Sequence, residues 1–158
     1  MSENRKAVTA AGDSSAPPPN VCFGCGEANS AGMHLPFSRD EEHRKVYGEF
    51  RLVERYQGAP GIVHGGIVAL VLDEALSKVS KFSGVSAVTA ELNVEYLRPV
   101  RIGEAIRVEA ANERAEGKHL YHSGEIRDGM GHVLARAKGR FVVVNREGFL
   151  DLNKETGK

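Results

Sequence analysis

The segment GIVHGGIVALVLDEALSK, residues 61–78, constrains the fold more than any other part of the chain. From Gly66 onward its apolar positions fall on nearly every side of a helix: Ile67, Val68, Leu70, Val71, Leu72, Ala75, Leu76 and Val79. A helix that is apolar on all sides is expected to be enclosed by other structure. Gly84 is placed to end the helix, so the sequence predicts one central helix of about four turns or a little more.

Two acids, Asp73 and Glu74, interrupt this apolar run. An unpaired carboxylate in a protein core costs several kcal/mol, so Asp73 is expected to meet either a polar pocket or an interface. Glu74 lies about 100° further round the helix, and the two acids therefore cannot share one face.

Strand patterns stand on both sides of the helix. Before it, alternation of apolar and polar residues predicts short strands at 33–37 and 46–52. After it, alternation predicts three or four antiparallel strands joined by Gly-containing turns, the first with Val88, Ala90, Leu92, Val94 and Tyr96 on one face and Thr89, Glu91, Asn93 and Glu95 on the other. An antiparallel sheet curled around one helix is an α+β layout with a single domain.

The ends of the chain differ in composition from this middle part. Residues 1–20 are rich in Ala, Ser and Pro and are expected to be a disordered lead. Residues 21–145 hold the patterned segments and are expected to form the domain. Residues 146–158 show no clear period and are interpreted as a C-terminal tail.

Charge and hydropathy disfavour several classes of protein. The chain has 21 basic and 21 acidic residues, so it lacks the positive field that sustains nucleic-acid binding. Its longest apolar run is shorter than the roughly 18 residues that a membrane span requires. No apolar stretch follows the early cations, and a secretory signal is therefore not predicted. A cytoplasmic protein is the expectation.

Cys22 and Cys25 form the pair CFGC. This spacing is compatible with half of a zinc site, with a redox dithiol, or with a structural turn that carries free thiols. There is no second pair of this kind, and His34, His43, His122 and His132 lack the spacing of metal ligands. The sequence therefore gives no expectation of a metal site.

Several motifs together resemble a known family. These are HGG at residues 64–66, an acid nine positions after that histidine, TAELNVEYLRPVRIGE from residue 89, and the lead-in CFGCG..N..GMHL. They resemble the hotdog-fold acyl-CoA thioesterases, and in particular their phenylacetate-type and carboxy-terminal-modulator-type branch, over residues 21–145. The resemblance implies a hotdog fold, hydrolysis of a CoA thioester without a further cofactor, and a homodimer or dimer of dimers.

The resemblance also implies roles for the residues of the helix entrance and the helix. The N–H groups of Gly65 and Gly66 would form an oxyanion hole at the helix N-terminus, although two glycines also suit a tight turn. Asp73 would act as nucleophile or general base, with a structural carboxylate as the alternative. Thr89 would join Asp73 from a strand.

Three further residues near these positions have less definite roles. His64 is expected to position the glycine loop rather than to carry a proton. Ser77, one turn after Asp73, is expected either to help hold a water or only to permit packing. Glu74 is expected to form a salt bridge or lie at an interface, with the catalytic role as a smaller alternative.

The remaining candidates concern binding of coenzyme A. Asn93 and Glu95 are expected either to line the pantetheine channel, on the strand face of Thr89, or to face solvent. The cations expected at the nucleotide phosphates are Arg98, Arg101, Lys118 and His119, with plain solvated side chains as the alternative.

Two other functions fit the same fold family. A non-catalytic acyl-CoA binding or sensing protein would keep the tunnel and the basic residues without needing the acid. An enoyl-thioester hydratase is less favoured, because its Asp and His motif is missing. The sequence does not specify the acyl group.

Overall fold

The computed structural model describes residues 17–144. It contains one α-helix, α1 (Gly65–Val79), and six strands: β1 (Ser38–Asp40), β2 (Lys45–Arg51), β3 (Ser86–Tyr96), β4 (Ala105–Glu116), β5 (His119–Asp128) and β6 (Val133–Val144). Two short 3₁₀ turns span Glu54–Tyr56 and Ser80–Ser83. The predicted tail, and residues 1–16 of the predicted lead, lie outside the described residues.

The strands form one antiparallel sheet in the order β1-β2-β4-β5-β6-β3. Helix α1 packs on one face of this sheet and contacts strands β2 to β6. The predicted α+β layout, with one helix and three or four strands after it, is confirmed, and the structure has four. Within residues 17–144, no helix combines the length and the apolarity that a bilayer crossing requires.

The side of α1 that faces the sheet is buried. Its core positions are Val68, Val71, Leu72, Ala75, Leu76 and Val79, and they pack against sheet residues such as Val108, Ile126 and Phe141. Each Val, Leu, Ile or Phe side chain among them contributes about 1.5–3 kcal/mol through burial. The other side of α1, with Asp73 and Ser77, stays partly exposed. In one chain, therefore, the helix is enclosed on one side and not all round.

Both ends of α1 have identifiable signals. His64 is the N-cap, and its side chain accepts a hydrogen bond from the helix backbone. At the other end the helix tightens into the 3₁₀ turn, and Gly84 follows with a left-handed φ of 67°. This conformation suits glycine and confirms Gly84 as the end of the helical segment.

The strand predicted at residues 33–37 was wrong. The backbone of His34 has a φ of 52°, which breaks an extended run. The N–H groups of Met33 and Leu35 instead donate to the carbonyl oxygens of Phe23 and Gly24, so this segment packs against the CFGC loop. The first strand of the sheet begins later, at Ser38.

A β-bulge changes the phase of β3. Thr89 pairs with Phe141 and Glu91 pairs with Arg140, which leaves Ala90 as an extra residue. Before the bulge Thr89 lies on the helix-facing side of the sheet, opposite the buried Phe141. After the bulge the helix-facing residues are Leu92 and Val94.

The bulge overturns two expectations about β3. Val88 does not share the face of Leu92, because the one residue inserted between them reverses the alternation of the side chains. For the same reason Asn93 and Glu95 do not share the face of Thr89 and lie on the outer side of the sheet.

A buried polar pair lies under the end of α1. His122 on β5 and Ser80 are both 2% exposed, and His122 Nε2 lies 3.1 Å from Ser80 Oγ. With the Asn112 amide turned so that its nitrogen faces the ring, it donates to His122 Nδ1 over 3.2 Å. The Nε2–H of a neutral ring then donates to Ser80. Burial lowers the pKa of His122 below its ordinary value.

Candidate active site

The loop that contains HGG is held at the start of α1 by backbone hydrogen bonds to two neighbouring segments. The Val63 N–H donates to the Val100 carbonyl over 2.8 Å, and the His64 N–H donates to the Tyr56 carbonyl over 2.8 Å. His64, Gly65 and Gly66 themselves are exposed. The first amides of the helix therefore face outward, where a ligand can approach them.

The two glycine amides are not equivalent. The Gly66 N–H donates to His64 Nδ1 over 2.9 Å, so it is occupied by the N-cap. Among the residues that the structure describes, no acceptor takes the Gly65 N–H. Only the Gly65 amide is thus free to stabilise an oxyanion in this conformation, whereas His64 fixes the loop through Gly66.

Tyr96 also holds this loop, and the sequence reasoning missed it. Its hydroxyl donates to the Gly65 carbonyl oxygen over 2.9 Å. The sequence indicates only an aromatic residue on the apolar face of a strand. Its contact with Gly65 depends on how the end of β3 lies against the start of α1, and no local spacing reveals that.

Asp73 lies in the middle of α1 and is half-buried. The Thr89 hydroxyl donates to Asp73 Oδ1 over 2.8 Å within the same chain. Burial raises the pKa of Asp73 above its ordinary value, the hydrogen bond from Thr89 opposes this, and the nearby charge of Glu74 adds to it. The carboxylate is therefore a stronger base than a solvated aspartate, and one of its oxygens is oriented.

Glu74 and Ser77 do not join Asp73. Glu74 Oε1 lies 3.2 Å from Lys78 Nζ, and Glu74 Oε2 accepts from the Cys22 thiol at 3.6 Å. The Ser77 hydroxyl donates to the Glu74 carbonyl oxygen over 2.9 Å, as serine often does inside a helix. Its proton is therefore directed to the backbone and not toward the Asp73 carboxylate.

The Gly65 amide and the Asp73 carboxylate lie far apart in one chain. Eight helical positions separate them, which corresponds to about 12 Å along the axis. A reacting carbonyl needs its attacking group within about 3–3.5 Å. One chain therefore does not bring these two groups to the same thioester.

The four candidate cations form two groups at opposite ends of β3. The backbone of Arg101 forms an isolated β-bridge with Ile62 beside the HGG loop, and Arg98 follows the end of β3. His119 pairs with Val142, which in turn pairs with Val88 near the start of β3, and Lys118 precedes it in the turn. From Val88 to Tyr96 there are eight strand steps, so roughly 25 Å of strand separates the groups.

Asn93 and Glu95 face a groove on the outer side of the sheet. Glu95 Oε2 accepts from Arg136 Nε over 2.7 Å, and Asn93 is exposed. Asp73 and the helix lie on the other side of the sheet, so in one chain neither residue lines the surroundings of the Asp73 carboxylate.

Comparisons with known proteins give a consistent result. A family model described as the thioesterase superfamily matches residues 60–135. The acyl-coenzyme A thioesterase THEM4 of Bos taurus is 26% identical over 126 residues, 79% of this chain and 52% of the relative. The chain thus spans about half the length of the curated relatives it matches.

Two solved structures are also similar. A thioesterase superfamily protein is 31% identical with a TM-score of 0.69, and the match covers 74% of this chain and 60% of the other. The BH2602 protein of Bacillus halodurans, whose structure contains CoA, is 25% identical with a TM-score of 0.63, and the match covers 72% of this chain and 76% of the other. The hotdog fold expected from the motifs is confirmed.

Proposed function

We propose, from the premise that this chain belongs to the thioesterase superfamily, that it hydrolyses an acyl-coenzyme A thioester to a free acid and coenzyme A. The observation that carries the proposal is the half-buried Asp73 carboxylate, with Thr89 donating to it from the neighbouring strand. The free Gly65 amide at the start of the same helix supports it. No cofactor beyond the coenzyme A of the substrate is required.

The chemistry assigned to Asp73 has two routes. As a general base, its carboxylate takes a proton from water while the water oxygen bonds to the thioester carbon. The C–S bond then breaks, and the proton passes to the departing thiolate. As a nucleophile, the carboxylate itself bonds to the carbon and the C–S bond breaks to release the coenzyme A thiolate; water then cleaves the resulting anhydride, regenerates the carboxylate and supplies the proton that the thiolate takes up. In both routes the Thr89 hydroxyl holds Asp73 Oδ1 and leaves the other oxygen for the reaction.

The carbonyl oxygen of the thioester becomes negatively charged during either route. We assign its stabilisation to the Gly65 N–H, at the positive end of the α1 dipole. His64 and Tyr96 act as positioning residues, since they hold the Gly66 amide and the Gly65 carbonyl.

The distance along α1 supports a site that two copies of the chain share. Gly65 and Asp73 of one chain are about 12 Å apart, so the amide and the carboxylate that act on one thioester would come from different copies. The edge strand β3 offers a surface for such pairing: it has 11 residues, and no described strand pairs with its outer edge. A homodimer is the smallest assembly that fits, and a dimer of dimers fits equally.

The two basic groups are both suited to the nucleotide phosphates of coenzyme A. Arg98 and Arg101 lie near the HGG loop, whereas Lys118 and His119 lie at the far end of β3. The two basic groups are far apart in one chain. A substrate that reacts at Asp73 of one copy and at Gly65 of the other would therefore contact one basic group from each copy.

The test is Asp73→Asn, with Asp40→Asn as the matched control. Asp40 is the last residue of β1 and contacts His43 in the turn that follows, so the control makes the same chemical change away from the site. We expect Asp73→Asn to lower kcat for acyl-CoA and aryl-CoA hydrolysis by about 10² or more, because it removes the base, while the control keeps wild-type kcat. Release of free thiol measures the rate.

Binding separates this proposal from the binding-protein alternative. Asp73→Asn is expected to keep acyl-CoA affinity and the wild-type elution volume in gel filtration. Unchanged turnover in Asp73→Asn would remove Asp73 from the reaction. Tight acyl-CoA binding without thiol release by the wild-type chain, over the whole substrate panel, would favour a sensing or sequestering protein instead.

A further inference from the structure

The CFGC loop meets α1 at a cluster that the thioesterase chemistry does not use. The two sulfur atoms of Cys22 and Cys25 and a carboxylate oxygen of Glu74 lie within 4.8 Å of one another. Glu74 comes 52 residues after Cys22, so no local sequence spacing reveals it as a third member. The missing second CxxC pair is thus replaced by a residue of the helix.

The loop is shaped around the Glu74 carboxylate. Any side chain at Gly24 would overlap the carboxylate, and any side chain at Gly26 would overlap the backbone of Cys22. The Gly26 N–H donates to the Cys22 carbonyl over 2.8 Å and closes the turn, while the Asn20 side chain accepts from the Cys22 N–H over 3.1 Å. The backbone of Cys22 is therefore held on both sides, and a side chain at Gly24 would displace the Glu74 carboxylate from the two sulfur atoms.

The charges of the cluster are unusual for a structural turn. The Glu74 side chain is only 13% exposed, and Lys78, 3.2 Å away, is its one ion-pair partner among the described residues. On its other side the carboxylate meets two sulfur atoms, and the Cys22 thiol that donates to Glu74 Oε2 over 3.6 Å is a weak donor. A cation between the three groups would compensate this carboxylate more strongly than a thiol does.

We propose that Cys22, Cys25 and Glu74 bind a zinc ion. Two thiolates and one carboxylate are ligands that Zn²⁺ prefers, and a CxxC turn is the usual way to bring two sulfurs to one ion. Tetrahedral bonds of about 2.3 Å to sulfur and 2.0 Å to oxygen place neighbouring ligand atoms about 3.5–3.8 Å apart. The 3.6 Å from Cys22 Sγ to Glu74 Oε2 already matches this spacing.

The surroundings complete the site. Three anionic ligands and a divalent ion leave one negative charge, and the Lys78 ammonium balances it. Lys78 Nζ contacts the other oxygen of Glu74, which orients the carboxylate as an outer partner of a metal ligand does. Cys22 is exposed, so the ion has an entry path and its fourth position is open to water. The ion links the CFGC loop to α1 at Glu74, the residue that follows Asp73 in the helix.

The test uses the full chain without an affinity tag, stripped with a chelator and then dialysed against limiting Zn²⁺. We expect one zinc per chain by elemental analysis. Replacement by Co²⁺ should produce a thiolate-to-cobalt charge-transfer band, which nitrogen and oxygen ligands alone do not produce. Neither readout depends on thioesterase activity.

Variants assign the ligands. Cys25→Ser and Cys22→Ser should each weaken the cobalt band and lower the zinc content, and Glu74→Gln should lower zinc affinity while the band is kept. Lys78→Gln should weaken zinc binding by about 10- to 100-fold. His132→Ala is the matched control, because His132 Nδ1 and an Asp128 oxygen, 3.0 Å apart, are a different pair of potential zinc ligands; it should retain one zinc.

Three results would overturn the proposal. In the first, the double variant Cys22→Ser/Cys25→Ser keeps its zinc, which would mean that the ion binds adventitiously elsewhere. The second is a stripped, reduced chain that takes up no zinc and gives no cobalt band. The third is a Cys22–Cys25 disulfide in the purified protein whose reduction restores two thiols but no metal binding, which would make the pair a redox dithiol.

Discussion

The Thr89 hydroxyl gives the Asp73 carboxylate its only described side-chain hydrogen bond, 2.8 Å long. A hydrogen bond to a charged group contributes about 1.5–3 kcal/mol, so Thr89→Val should lower kcat by about 10- to 100-fold with little change in KM. Thr89→Ser keeps the hydroxyl and should stay within a few-fold of wild type. Steady-state kinetics on one thioester checks both variants. Equal kcat for the Val and Ser variants would show that the hydroxyl does not position Asp73.

Residue types in the sequence were enough to find Asp73 and the HGG loop as candidates, because a carboxylate in an apolar helix and paired glycines before it are conspicuous. Thr89 became a candidate only through the resemblance to the thioesterase family. Their partners were not visible in the same way. The engagement of the Gly66 amide by His64 depends on one side-chain rotamer, and the contact from Tyr96 depends on the placement of two elements. Short-range patterns do not contain that information.

At the scale of elements, α1 approaches the sheet closely where glycines lie beneath it. A side chain carbon at Gly124 would lie 2.8 Å from the Glu109 carbonyl oxygen and 2.9 Å from a Leu76 methyl group. Gly124→Ala is therefore expected to lower the free energy of unfolding by about 1–3 kcal/mol, because the helix and strand must move apart. Urea unfolding followed by circular dichroism measures this.

Gly129 provides the matched control for that substitution. It lies in the turn after β5, and a side chain there would meet nothing within 4 Å. Gly129→Ala should change the free energy of unfolding by less than about 0.5 kcal/mol. If the two alanine variants had equal stabilities, close helix-to-sheet packing at Gly124 would not be a feature of the molecule in solution.

The number, order and type of the main elements could be predicted, since hydrophobic periods of 3.6 and 2 residues are set by long segments. The strand expected at residues 33–37 and the phase of β3 could not. Each depends on one residue with unusual geometry, the positive φ of His34 and the extra residue Ala90. Alternation in the sequence continues through both places, so periodicity alone does not detect them.

For the whole molecule, the separation of Gly65 from Asp73 predicts complementation between two inactive variants. Gly65→Pro removes the free N–H at a helix position that accepts proline, and the His64 ψ of 134° suits a residue before proline. When the Gly65→Pro and Asp73→Asn variants are mixed and reassembled, half of the dimers contain one copy of each. Each of these mixed dimers carries one intact site out of two, so up to about a quarter of wild-type activity should return.

The control for complementation is Gly65→Ala, which keeps the N–H. Its side chain would meet the Tyr96 ring at 3.6 Å, an ordinary contact, so this variant should stay active alone. Activity that stays at the sum of the two separate variants after mixing, with subunit exchange verified by mass spectrometry, would mean that both groups act within one chain.

The buried pair of His122 and Ser80 predicts how stability depends on pH. Because burial lowers the pKa of His122 in the folded chain, the unfolded chain binds more protons in this range. The stability that this group contributes is present above about pH 6.5 and is lost as the pH falls below it, at up to about 1.4 kcal/mol per pH unit.

His122→Gln tests this dependence, because glutamine does not titrate. Urea unfolding between pH 7.5 and 5.5 should show a shallower decline of the unfolding free energy for this variant than for the wild type. His43→Gln is the control, since His43 is exposed, and it should keep the wild-type slope. Parallel slopes for all three proteins would exclude His122 as the source.

The extra residue in β3 also limits how this strand can be altered by deletion. Ala90 keeps the Thr89 hydroxyl on the helix side while the residues after it follow the opposite alternation. Deleting Ala90 would leave a regular strand of nearly the same length and composition, yet either Thr89 would turn away from Asp73 or Leu92 and Val94 would turn away from the core. The loss of this one small residue would therefore damage the protein more than most substitutions in the strand.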